Sequence, residues 1–228
     1  MLGYTEEKGG IKMEKKKMKL WKKILLVILA VFIVFSIFIL RNFIIISNLE
    51  NVSKNVASKT NYIANIYSLQ SNSINITKSY NKDGNYLTIM QVHSTEFENL
   101  RKLTIYKNNN EEIGIIQSGD TKIAILNDNM LGSSIQVNTF MGSSCEYTMN
   151  VWEKLILSVI SKITTDECNN KDCYLVEIPH WKMWVDKETG LLVRDINGGM
   201  VTDRTYNFDI VKDEDIVKPD TSDCKIQE

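Results

Sequence analysis

Histidine, cysteine, serine and carboxylate side chains are the groups with which a chain of 228 residues would do acid–base, nucleophilic or metal chemistry. Two histidines are present, His93 and His180. His93 falls at the end of a strand-like run, and His180 stands between Pro179 and Trp181, so both read as turn or surface residues. No Gly-x-Ser-x-Gly, His-Glu-x-x-His or phosphate-cradling Gly-x-x-x-x-Gly-Lys-Ser/Thr occurs. Asp213-Glu214-Asp215 is a charge run of the kind that is usually solvated. The four cysteines are Cys145, Cys168, Cys173 and Cys224, without a Cys-x-x-Cys spacing, so a zinc site is the lesser reading and disulfides the greater. Asn169-Asn170-Lys171-Asp172 reads as a turn that brings Cys168 to Cys173, leaving Cys145 and Cys224 either paired or both free. The expectation is a chain with no catalytic residues, no metal and no cofactor.

The stretch that positions everything else is Ile24–Ile46. From Ile24 to Leu40 it holds no charge and one polar residue, Ser36; Arg41 and Asn42 interrupt, and Phe43-Ile44-Ile45-Ile46 resumes. A bilayer-spanning helix needs roughly 20 apolar residues. Residues 1–23 carry eight lysines against three glutamates, +5, and positive charge beside a first span stays cytoplasmic. A cleaved signal peptide would show a shorter apolar core and a small-x-small cleavage site, and no Ala-x-Ala stands downstream. The expected arrangement is a signal anchor at 24–46, single-pass in the cell membrane, with a basic cytoplasmic segment at 1–23 and the remainder extracytoplasmic. Met13 stands as a second candidate start. Residues 47–228 hold 18 basic and 25 acidic side chains, −7, so nucleic acid is not an expected partner. All four cysteines lie on that outer side.

Past the span, Leu49, Val52, Val56, Ile63 and Ile66 predict an amphipathic helix over 47–69, packed on the protein's own sheet or, alternatively, turned toward lipid or a partner helix. From Asn72 the period changes to two. Five short runs rich in Ile, Thr, Tyr and Val follow, separated by Lys82-Asp-Gly-Asn85, Asn108-Asn-Asn110 and Ser118-Gly-Asp120, which predicts an antiparallel meander. Residues 127–144 read as a long apolar-punctuated loop, either a binding lid or an ordinary connection. Residues 146–163 predict a helix with a wide apolar stripe. Strands over 172–178, 181–186, 191–196 and 201–210 complete the pattern, and Lys212–Glu228 reads as a tail too polar to pack. Trp181 and Trp184 fall on opposite faces of one strand.

The run Cys173-Tyr-Leu-Val-Glu-Ile178, Trp184-Val-Asp186-Lys-Glu-Thr-Gly190-Leu-Leu-Val-Arg194 and Tyr206-Asn-Phe208-Asp-Ile210 resembles membrane-anchored members of the outer-membrane lipoprotein-carrier (LolA/RseB-like) superfamily of low-GC Gram-positive bacteria. The resemblance covers roughly residues 47–220, with a tail at 221–228. It implies an α+β fold: a half-open antiparallel β-barrel covered by two helices, enclosing an apolar cavity for a lipid or lipoprotein acyl chain. A tethered chain cannot diffuse as a soluble carrier does, so binding at the membrane surface is expected instead. On that reading Met130, Phe140, Met141, Trp152, Ile156, Val159, Trp181 and Trp184 are the candidate ligand-binding residues. The other reading is a module that contacts, or senses through, another envelope protein. Expected partners are thus the bilayer and either a lipid or lipoprotein ligand or an envelope protein.

Overall fold

A computed structural model describes residues 7–95, 97–109, 111–126, 135–140 and 148–227. One helix, α1, runs from Glu7 to Ala57. From Leu20 onward it is long and apolar enough to cross a membrane, and between Leu20 and Leu40 nearly every side chain is exposed. Arg41 and Asn42 do not end it, since neither breaks a helix as proline or glycine would. Beyond them burial takes up a helical period: Asn42, Ile45, Ile46, Leu49, Glu50, Ser53 and Ala57 are buried. The same helix therefore leaves the apolar span and becomes the first core element of the domain.

The amphipathic helix expected over 47–69 stops at Ala57. Tyr62–Gln70 is a strand, β1. Its Tyr62, Ile63, Ile66 and Tyr67 favour a pleated surface, and Ser58 to Asn61 provide the break. The meander continues with β2 (Ser73–Lys82), β3 (Asn85–Ser94), β4 (Phe97–Lys107), β5 (Glu112–Ser118) and β6 (Thr121–Leu126). The second helix, α2, spans Val151–Ile160, shorter at both ends than expected. Asn150 caps it, and Ile163 already belongs to the next strand. Then come β7 (Lys162–Cys168), β8 (Lys171–Ile178), β9 (Trp181–Asp186), β10 (Leu192–Asn197), β11 (Met200–Phe208) and β12 (Lys225–Gln227).

Among the described residues these strands form one sheet, ordered β12-β6-β5-β4-β3-β2-β1-β11-β10-β9-β8-β7. Neighbours are antiparallel except β12, which runs parallel to β6. The joining pair is β1 with β11, where Tyr62 faces Phe208 and Ala64 faces Tyr206. Several turns use residues with positive φ, among them Asp83-Gly84, Asn169-Asn170 and Gly198-Gly199, as tight two-residue hairpins require. The architecture is α+β, with an apolar N-terminal helix, a large and mostly antiparallel sheet and a second helix.

The helix-side core joins Ile45, Ile46 and Leu49 of α1 to Phe140, Met149, Ile163, Val176, Met183, Val185 and Leu192. A neighbouring cluster gathers Tyr62, Ala64, Val137 and Leu191. The opposite face of the β7–β10 half holds Cys168, Cys173 and Val193, with Trp184 packed against them.

Two expectations are corrected. Cys168 and Cys173 are free thiols. The turn does bring them to one face, but Cys168 pairs with Lys171 and Cys173 with Asp166, leaving the two diagonal. Diagonal neighbours lie about 7–8 Å apart at Cα, beyond the usual disulfide span of about 4.4–6.8 Å. Cys224 is also free, and Cys145 lies outside the described residues. The tail is not unpacked either. Ile216 and Cys224 pack against Tyr106, Ile113, Ile115 and Ala124. Lys82–Asp213 at 2.8 Å and Lys218–Glu111 at 2.6 Å tie the tail down, with Lys122–Asp223 beside them. Its few apolar residues suffice because the sheet supplies the rest of the core.

Candidate functional site on the helix side of the sheet

The α1–α2 junction is built on polar residues inside an apolar setting. Asn42 is fully buried, and its Nδ2 donates to the carbonyls of Ser158 at 3.1 Å and Ser161 at 3.0 Å. These are carbonyls at the C-terminal end of α2, which an isolated helix leaves unpaired. Arg41 Nη1 donates to the Ile163 carbonyl at 3.0 Å. Near the other end of α2, Lys154 forms an ion pair with the buried Glu50, which Lys54 approaches at 3.5 Å. Residue 154 thus lies by residue 50 and residues 158–161 by residue 42, so α2 runs antiparallel to α1. A capping box starts it: the Glu153 N–H donates to Asn150 Oδ1 at 3.0 Å, and the Asn150 N–H donates to Glu153 Oε2 at 2.8 Å.

At the foot of α1 a cleft of about 380 Å³ opens between Ala57–Thr60, Tyr62, Gly84–Tyr86 and Gln136–Val137. Tyr62 and Tyr86 are its buried aromatic residues. Tyr62 is held by its hydroxyl, which donates to the Ile135 carbonyl at 2.8 Å. Thr60 Oγ1 donates to Asp83 Oδ1 at 2.7 Å and closes one side. Asn81 lines the cleft at 5% exposure. Its Nδ2 donates to Ser79 Oγ at 3.1 Å, while its Oδ1 is buried with no donor among the described residues. Asn85 Oδ1 is in the same condition. Behind Asn81 the helix-side face of β2 and β3 is polar: Thr77, Ser79 and Thr88 are buried, and the Ser79 and Thr88 hydroxyls lie 2.7 Å apart. Burial, and the charge of Glu112, raise the Tyr86 phenol above its ordinary pKa.

Among the described residues, the candidates named from sequence are not gathered around one cavity. Phe140 is buried in the core against α1, with its N–H donating to the Gly190 carbonyl at 3.3 Å. Trp181 packs on the same core and its Nε1 donates to Asp195 Oδ2 at 3.2 Å. Trp184 sits on the other face, donating to Asp166 Oδ2 at 2.8 Å. Trp152, Ile156 and Val159 are exposed on the outer side of α2. Met130 and Met141 lie outside the described residues. Asn42, Glu50 and Asn81 were not singled out from sequence. The break at Arg41-Asn42 in the apolar run was the only signal for Asn42. Asn81 is the last residue of a strand-like run and carries no signal of its own.

Neither a family model nor a curated protein matches the sequence. Among solved structures, the complex of MucA and MucB from Pseudomonas aeruginosa is similar to this chain at 6% identity and a TM-score of 0.36, over 82% of this chain. The match spans 63% of that chain.

Proposed function

We propose that the chain is a membrane-tethered, non-enzymatic binding module that takes an extended segment of an envelope protein in the cleft at the foot of α1. The observation that carries this is Asn81. Asn81 lines the cleft, and its carboxamide oxygen is buried without a donor among the described residues. A buried acceptor left without a donor costs about 1–3 kcal/mol, and a backbone N–H of a bound segment would supply one. Tyr62 and Tyr86 add aromatic faces for an apolar side chain on that segment. An acyl chain, the ligand expected from the resemblance, offers no donor and would leave the buried Asn81 and Asn85 oxygens unpaired. The apolar anchor keeps such a module at the membrane surface, and the basic residues at 1–23 favour placing the domain outside the cytoplasm.

The test uses the full chain in native membranes, with the photoreactive residue p-benzoylphenylalanine in place of Gln136, an exposed residue at the cleft. The expected result is a discrete protein adduct that disappears in Asn81→Leu. An adduct with acyl lipid that survives Asn81→Leu would overturn the reading and return the cleft to the lipid-binding class.

A further inference from the structure

We propose that α2 lies in the bilayer rim beside α1, with its outer face against lipid, so that the domain sits directly on the membrane rather than hanging from a free stalk. The proposal rests on the apolar span and is independent of the cleft. Val151, Trp152, Leu155, Ile156, Val159 and Ile160 are all exposed, from 36% to 72%. Their spacing puts them on one face, while Leu157 and Ser158 point to the core. No charged residue interrupts that face, and in water a contiguous patch of this kind marks a docking surface.

The occupant follows from depth. Ile24 to Leu40 is 17 residues, about 25 Å of helix, short of the roughly 30 Å of a hydrocarbon core. Residues 41–44 are therefore drawn toward the hydrocarbon. At that level Asn42 Nδ2 donates to two carbonyls of the α2 end and Arg41 donates to the Ile163 carbonyl. Donors paired within the protein are compatible with a lipid surround. Ile44, half-exposed on α1, lies two residues from Asn42 and so near the level of the exposed Val159 and Ile160. The apolar surface of the span therefore continues onto α2 through the junction already described. Farther up, Trp152 lies near the level of the Glu50–Lys154 pair. Trp21 is exposed at the other end of the span. From residue 21 to residue 50 of a continuous helix is about 43 Å, close to the roughly 40–45 Å of a bilayer with its headgroups, where tryptophan concentrates.

The experiment uses the full chain in vesicles of phosphatidylcholine and phosphatidylglycerol, with p-benzoylphenylalanine at Ile156, at Val159 or at Val217. Val217 is the control, an exposed apolar residue of the tail. The expected result is at least fivefold more lipid adduct from positions 156 and 159 than from 217. Equal yields, or adducts chiefly with a second copy of the chain, would overturn the proposal. A second measurement places the photoreactive residue at Trp152 and adds Ile156→Lys. Because Ile156 is exposed, the fold in detergent should be unchanged, while lipid adduct at 152 falls at least fivefold. An undiminished yield would count against the face as the seat.

Discussion

A β-carbon on Gly190 would lie 2.6 Å from the Leu49 carbonyl oxygen and 2.8 Å from Ser53 Cβ, and the residue holds φ at +68°. The backbone of the Lys187–Gly190 turn thus touches α1, and only glycine permits the approach. Gly190→Ala should lower stability by about 2–4 kcal/mol through strain and displaced packing, read as the shift of a denaturant midpoint. The same turn is organised by Asp186, which is buried. Burial would push its carboxyl up, but Lys171 at 2.6 Å and the Glu188 N–H at 2.9 Å overcome this and hold it below the usual carboxylate range. A depressed pKa means stabilisation that is complete above the ordinary carboxylate value of about 3.9 and is lost as pH falls through the folded value. Wild-type stability should therefore exceed that of Asp186→Asn at pH 7, and the gap should close as pH falls below about 4 in urea titrations at stepped pH. On the far face, burial pushes the Cys173 thiol up to about 11. Maleimide at neutral pH should label Cys224, which is only partly covered, well before Cys168 or Cys173, which react after unfolding.

At the scale of elements, the long helix and the sheet strands are set by local pattern, whereas their joints are not. The apolar run, the period-2 alternation and the turn residues are all short-range signals, and β2 to β6 fall where those signals stand. The extent of α1 was misread because Ile63 and Ile66 fit a helical stripe continued from Val56, although the β1–β11 pairing claims them. The α1–α2 joint depends on Asn42 reaching carbonyls more than one hundred residues away, which no local pattern encodes. Asn42→Leu should leave those two carbonyls without their donor and cost about 1–3 kcal/mol. Hydrogen exchange should show the loss as faster exchange confined to α2 and the start of β7, with β2 to β6 unchanged.

For the whole molecule, the consequence is that the apolar helix and the domain are not separable. Ile45, Ile46 and Leu49 belong to the helix that carries the apolar run, and to the main core as well. A chain beginning at residue 58 lacks all three, each worth about 2–5 kcal/mol on truncation to alanine in well-packed cores. Such a truncation should aggregate or bind a hydrophobic dye, whereas one beginning near residue 41 should stay monomeric in mild detergent with a single cooperative unfolding transition. Size-exclusion chromatography with circular dichroism distinguishes the two.

The amino-acid sequence by itself determined that one apolar helix long enough to cross a membrane precedes an acidic, strand-rich region, and that the ordinary catalytic motifs are missing. Those properties reside in runs of neighbouring residues, so composition and period carry them. The opposite placement of Trp181 and Trp184 was legible for the same reason, since alternation along one strand needs no partner. The tertiary structure alone decided that β11 closes onto β1, that the polar-looking tail lies on the sheet, and that Cys168 and Cys173 sit diagonal rather than opposed. It also decided which apolar residues remain outside: Trp152 and Ile156 look like core in a helical stripe but face outward once Asn42 and Glu50 have fixed the roll of α2. The physical reason is the same in each case. Register, diagonal offset and helix roll depend on contacts between residues far apart in the chain, and a local pattern is compatible with several arrangements of them.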